Sequence, residues 1–275
     1  MTPNTDYAQA LAMLDWQIEL GADEAIGDIP INRYEAAVET RKEAAKKAPD
    51  ARPVAATPLR PSHTELHAEN TAEAVAAARR LATASGDLIA LRSAIESYDY
   101  CALKKGARNL VFADGNPVAR LMIIGEAPGR DEDMEGFPFV GRAGQLLDKM
   151  LAAIEMSRKG TEVDDAVYIT NVLPWRPPQN RDPLPEEIEM MLPFLKRHIE
   201  LVAPDIIVPM GNFACQALLG RKGITRLRGT WAEVYGLPAL PMFHPAYLLR
   251  SPEKKREAWA DLLELKAKLK RSKNV

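Results

Sequence analysis

The chain has 275 residues, 47% of them hydrophobic, only two cysteines and a formal net charge of −2. That length and apolar content suit one large or two small globular domains, and two cysteines exclude a disulfide-built scaffold, so a reducing cytosol is the expected setting. No apolar run of the roughly 18 residues that a membrane helix needs exists, and Asp6, Asp15 and Glu19 near the start, with no basic stretch ahead of an apolar core, argue against a secretory signal. The charge is unevenly spread. The first 100 residues carry 10 Lys and Arg against 16 Asp and Glu, and the remaining 175 carry 26 against 22. A mildly basic C-terminal part permits nucleic-acid binding without demanding it.

In chain order, Tyr7, Leu11, Leu14 and Ile18 recur at helical spacing and predict a helix over residues 5–20, which Gly21 ends. A more polar helix is expected over 33–48. Four prolines in PDARPVAATPLRP, residues 49–61, mark an extended linker. The Ala-rich residues 63–84 predict another helix. His63 and His67 stand one turn apart in it, but no third ligand lies close in sequence, so no metal site is expected. Leu88, Leu91, Ile95 and Tyr98 mark a short amphipathic helix leading to Cys101. Residues 1–86 are thus expected to be a helical, Pro/Ala-rich extension, and 87–275 the compact domain.

Short apolar runs in that domain predict strands at Arg120–Gly125, Ala166–Asn171, Asp205–Gly211 and Ala239–Phe243, with Leu110–Phe112 as a short edge. Helices are expected at Ala143–Glu155, Pro185–Val202, Asn212–Leu219 and Glu253–Arg271. This alternation implies an α/β fold, an open and mostly parallel sheet of about four strands with helices on both faces. Loops at the carboxyl ends of parallel strands hold the ligand in such folds. The loop after Gly125 is long, rich in Gly and Pro, and carries Glu126, Asp131, Glu132 and Asp133, so it is the first place to look for chemistry.

GEAPGRDEDMEGFPFVGRAGQLLDKML resembles the first motif of the family 4 uracil-DNA glycosylases. The resemblance continues, in order, through ITNVLPWRPPQNRDP, IIVPMGNFACQALLG, ITRLRGTW and HPAYLLRSP, and covers roughly Cys101 to Leu269. It implies an enzyme that flips uracil out of DNA, hydrolyses its N-glycosidic bond, and releases free uracil and an abasic site in base excision repair. Uracil-containing DNA is the implied partner, a monomer the implied state, and a membrane is not involved.

The resemblance also implies roles for residues. Phe139 matches the aromatic that stacks on the base. Asn171, just past a strand end, matches the amide that reads the uracil edge, and one fixed amide can reject cytosine because its donor and acceptor are reversed. His244 matches the histidine that donates a hydrogen bond to uracil O2 as charge develops there. In the best-known uracil-DNA glycosylases an Asp stands in the place of Ala127; here, as in family 4, no carboxylate does, which leaves Glu126 as the nearest candidate to orient water or the motif backbone. Glu132 matches the position beside C5 that excludes the thymine methyl. Arg226, Arg228 and Arg250 would contact phosphates, and Leu248 or Leu249 would either wedge into the gap left by the flipped base or pack as core.

One departure concerns a cofactor. Family 4 members hold a four-iron cluster on four cysteines, and the matching positions here are Cys101, Lys104, Trp175 and Met191. One thiolate cannot hold a cluster that needs four, so none is expected. A related branch reacts through a His in an inserted basic loop, which VLPWRPPQNRDP lacks. Two rival readings remain: a module that binds uracil or abasic DNA without turnover, kept open by Ala127, and a phosphate-transfer enzyme, weak because GEAPGRDED lacks the GK[ST] ending of a phosphate loop.

Overall fold

The computed structural model describes residues 63–272, with side chains placed for 71–271. The helices expected at 5–20 and 33–48 and the linker at 49–61 lie outside the described residues.

The helices are α1 (His63–Ala84), α2 (Leu88–Ser97), α3 (Leu103–Gly106), α4 (Arg130–Glu135), α5 (Arg142–Ala152), α6 (Pro185–Val202), α7 (Asn212–Leu219), α8 (Ile224–Leu227), α9 (Pro245–Arg250) and α10 (Lys255–Ser272). The strands are β1 (Asp114–Gly115), β2 (Leu121–Gly125), β3 (Val167–Asn171), β4 (Ile206–Pro209), β5 (Ala232–Val234) and β6 (Leu237–Ala239). They form one sheet in the order β1-β3-β2-β4-β6-β5. The pairs β3–β2, β2–β4 and β4–β6 are parallel; the two edge pairs, β1–β3 and β5–β6, are antiparallel.

Both faces of the central strands are covered, which is why Leu121 to Ile124 are apolar without alternation. Met122 and Ile124 join one hydrophobic cluster with Tyr168, Ile207 and residues of α1, α2 and α6. Leu121 and Ile123 point the other way and join Val167, Ile169, Val208 and residues of α5 and α10. The two-residue period of a strand therefore sorts one apolar run into two cores.

Three expectations are corrected. Described residues 63–86, expected in the extension, fall in the same compact unit as the rest of the described residues. Ala74, Ala77, Ala78 and Ala82 are all buried and recur along one face of α1, and this small-residue stripe packs on α6. The Tyr98 hydroxyl donates to the Ala74 carbonyl at 2.9 Å, and its ring meets Phe194 edge-on at 5.2 Å. Composition reads this helix as an extension because alanine signals no core by itself.

The edge strand is Asp114–Gly115 rather than Leu110–Phe112. The Val111 amide donates to the Pro174 carbonyl in a loop, and the Phe112 carbonyl accepts from the Thr170 hydroxyl, so that segment joins no ladder. The sheet also has six strands, not about four. The hairpin β5–β6 turns on Tyr235 and Gly236, both with positive φ (52° and 83°), the geometry of a type I′ turn. Regular pairing ends at Ala239, earlier than Phe243, and resumes as the bridge Met210–Met242 around Pro241, which has no N–H to give.

Candidate active site

Four chain segments leave the carboxyl ends of β2, β3, β4 and the β6 extension on the same rim, around a cavity of about 590 Å³. Glu126, Ala127, Glu132, Phe139, Asn171, His244 and Arg250 all line it.

Register brings the first groups together. Gly125 and Asn171 are paired neighbours at the ends of β2 and β3. A Cβ on Gly125 would lie 2.4 Å from Asn171 Oδ1 and 2.7 Å from the Phe139 ring, so the glycine is what lets amide and aromatic face the same space. Among the described residues no protein group hydrogen-bonds the Asn171 side-chain amide, which leaves its donor and acceptor for a ligand edge. Phe139 is buried, has a left-handed φ of 54°, and its ring stacks against the His244 imidazole at 5.3 Å with 28° between planes.

His244 caps α9. Its Nδ1 accepts from the Ala246 amide at 3.2 Å, so in the neutral ring the proton sits on Nε2. Burial, with a smaller push from Arg250, lowers its pKa to about 4, and the ring is neutral at any ordinary pH. Gly211, at φ 89°, passes close beneath it; a Cβ there would come within 3.2 Å of the His244 Cβ. His198, by contrast, is packed away from the cavity, hydrogen-bonded to the Tyr168 hydroxyl at 2.9 Å, with burial pushing its pKa down to about 3. The side chains of His63 and His67 lie outside the described residues.

The two glutamates differ in circumstance. Glu132 is tied to its own loop: its carboxylate accepts from the amides of Gly129, Val140 and Gly141 at 3.0–3.1 Å. It forms a fixed wall of the cavity. Among the described residues the Glu126 carboxylate makes no hydrogen bond, and burial, then the charge of Asp182, raises its pKa to about 7 against a smaller opposing pull from Lys222. Ala127 contributes only a methyl group to the wall.

Of the five residues expected on DNA, three are available and two are not. Arg250 and Arg226 are exposed, and Leu249 is 37% exposed. Leu248 is 1% exposed and belongs to the core, because one residue further along a helix turns a side chain from outside to inside. Arg228 does not line the cavity. It donates to Asp261 and to the Glu257 carbonyl, and its guanidinium lies 5.7 Å from the centre of the Phe243 ring. It anchors α8 to α10, and Gly229, at φ 69°, leaves room for the buried Asp261 to reach it.

Sequence reasoning missed part of the wall. Pro177, Asn180, Arg181 and Asp182 line it from the loop after β3, and Phe213 from the start of α7. Arg181 is held by a two-pronged ion pair to the buried Glu187, which also caps α6 through the Leu184 amide. The NRDP text was the available signal for this loop.

The four cluster positions can be compared with the donors a cluster needs. Cys101, Trp175 and Met191 are buried in one hydrophobic cluster. Burial pushes the Cys101 thiol up to about 11, so it is not a thiolate. The Lys104 ammonium bonds the Asp99 carboxylate and the Glu96 carbonyl. One neutral thiol, an indole, a thioether and an ammonium do not fit a four-thiolate cluster. Cys215 sits in the other core. Among the described residues no group of three or more His, Cys, Asp or Glu is arranged to hold a metal ion.

An aromatic face, an unengaged amide and a neutral imidazole with a fixed N–H are thus gathered at the carboxyl edge of a parallel sheet. The profile of the uracil DNA glycosylase superfamily matches residues 112–263. The chain is 42% identical over 174 residues to a type-4 uracil-DNA glycosylase of Archaeoglobus fulgidus, covering 60% of this chain and 84% of that one. It is 40% identical over 176 residues to the type-4 enzyme of Thermotoga maritima, covering 62% and 88%, and 38% identical over 193 residues to that of Saccharolobus solfataricus, covering 66% and 86%. The chain belongs to the uracil-DNA glycosylase superfamily, and its resemblance is to the type-4 members.

Proposed function

We propose that this protein is a monofunctional uracil-DNA glycosylase of base excision repair. It hydrolyses the N-glycosidic bond of uracil in DNA and releases uracil and an abasic site. The observation that carries the reading is the convergence of Phe139, Asn171 and the His244 Nε2–H on one cavity. Phe139 stacks on the extrahelical base, and Asn171 pairs with its O4 and N3–H. The fixed wall at Glu132 crowds C5 and excludes a methyl group. As the bond to the sugar breaks, charge gathers on O2, where the His244 N–H meets it without giving up its proton. Glu126 orients the attacking water in place of the carboxylate absent at Ala127. Arg226 and Arg250 hold backbone phosphates, and Leu249 fills the vacated stack. Among the described residues no lysine lines the cavity, which supports hydrolysis without a Schiff base. The protein acts as a monomer in the cytosol; its two free thiols are both buried, which suits a reducing setting. No described helix is long and apolar enough to cross a membrane.

Incubation with an oligonucleotide holding one uracil should leave the strand intact until hot alkali cleaves it at that position. Binding with no alkali-labile site would mean a non-catalytic module, and cleavage before alkali would mean a lyase.

The reading includes catalysis without an iron–sulfur cluster. Trp175 and Met191 supply apolar volume where two ligands stand in cluster-bearing relatives. Active protein purified under anaerobic conditions should be colourless around 400 nm and free of stoichiometric iron. Iron at about four atoms per chain with broad visible absorbance would overturn this.

A further inference from the structure

Phe139 occupies a backbone conformation that a bulky residue seldom adopts. Its φ is 54°, in a loop whose neighbour is Pro138. Such a conformation persists only where the surroundings over-determine it. Two contacts do so. Gly144 of α5 lies so close beneath that a Cβ there would sit 1.6 Å from the Phe139 carbonyl oxygen. Opposite, Arg158 donates from Nη1 to the Pro138 carbonyl at 2.8 Å and from Nη2 to the Phe139 carbonyl at 2.9 Å. Arg158 is itself fixed by Asp148 of α5 at 2.8 Å and Asp114 of β1 at 3.0 Å, and its side chain is only 8% exposed. It does not itself line the cavity.

We propose that Arg158 is a positioning residue for uracil binding: its planar fork grips two successive carbonyls and thereby sets the pose of the Phe139 ring. The inference rests on the reading of Phe139 as the aromatic that stacks on the base. A guanidinium is suited to this because its two terminal nitrogens donate along parallel directions, which one ammonium cannot do. The two aspartates neutralise and aim it, so the clamp costs no unpaired buried charge.

The test is a double-mutant cycle in the full chain, read as kcat and KM on uracil oligonucleotide and as inhibition by free uracil. Arg158→Gln and Arg158→Lys are each combined with Phe139→Leu. Arg158→Lys keeps the charge between Asp114 and Asp148, so it covers the case in which Arg158→Gln does not fold. Phe139→Leu alone should weaken free-uracil inhibition and kcat/KM by about tenfold or more. Arg158→Lys, with thermal unfolding close to the parent, should lose on the order of tenfold in both, yet less than about threefold more when Phe139 is already leucine, since residues acting through one another are not additive. Unchanged uracil inhibition in Arg158→Lys, or losses that multiply in the double variant, would overturn the proposal while leaving the stacking reading intact. Parent-like behaviour of Phe139→Leu would instead remove the stacking reading, and the role of Arg158 with it.

Discussion

His244→Ala should bind uracil-containing DNA nearly as tightly as the parent and excise the base at least about a hundredfold more slowly, because losing one donor to a developing anion costs on the order of 10²–10³ in rate. The structure gives this a specific form. Nδ1 is occupied by the Ala246 amide, so the neutral ring has a single tautomer, with its proton on Nε2. Burial holds the pKa near 4, so no imidazolium competes for the role at neutral pH. A neutral N–H interacts modestly with a ground-state carbonyl and much more strongly with a charged oxygen. Its removal therefore lowers kcat and kcat/KM together and leaves binding little changed. Single-turnover excision and equilibrium binding on the same oligonucleotide measure both sides. Excision within about threefold of the parent, in a variant shown to be folded, would move the burden to Glu126.

Glu126→Gln carries the second large expected effect, about 10²-fold in rate above pH 8, within the range that positioned acid–base groups supply. The parent carboxylate has a pKa near 7 because it is buried beside Asp182. Water is oriented by the ionised form, so parent activity should rise through about pH 7 and level off, while Glu126→Gln should be slow and flat. His244, titrating near 4, adds no step in that range. Stability should move the opposite way. A carboxyl whose folded pKa is raised stabilises the fold below its unfolded pKa of about 4.5 and loses that advantage as pH rises through 7. Glu126→Gln should therefore melt higher than the parent at pH 8 and no higher at pH 5. A parent-like pH profile in the variant would take Glu126 out of the reaction.

The parts of the site that the sequence made legible are those set by strand ends. Asn171 and His244 follow apolar runs, and a parallel sheet presents whatever comes next on one rim. Phe139 and Glu132 were legible only through the motif, since nothing in FPFVG says which aromatic turns inward. Arg158 was not legible, because its partners are backbone carbonyls, which leave no mark in the text. Arg228 was misread for a related reason: an arginine near a motif looks like a phosphate contact until its buried partner Asp261, 33 residues on, is seen. The β5–β6 hairpin escaped because Tyr235-Gly236 lacks the Asn-Gly signature that usually announces a type I′ turn.

The alanine stripe of α1 separates two boundaries that often coincide. The span matched by the family profile starts at residue 112, whereas the compact unit of the described residues already includes α1, from His63. Among the described residues before 112 none lines the cavity, yet α1 and α2 join α6 in the hydrophobic cluster on one face of the sheet that carries it. The packing that keeps solvent off one face of the sheet therefore draws on residues that precede the span of the family profile as well as on residues within it. Substitution along the alanine seam is therefore expected to act through its packing on α6 rather than at the cavity rim.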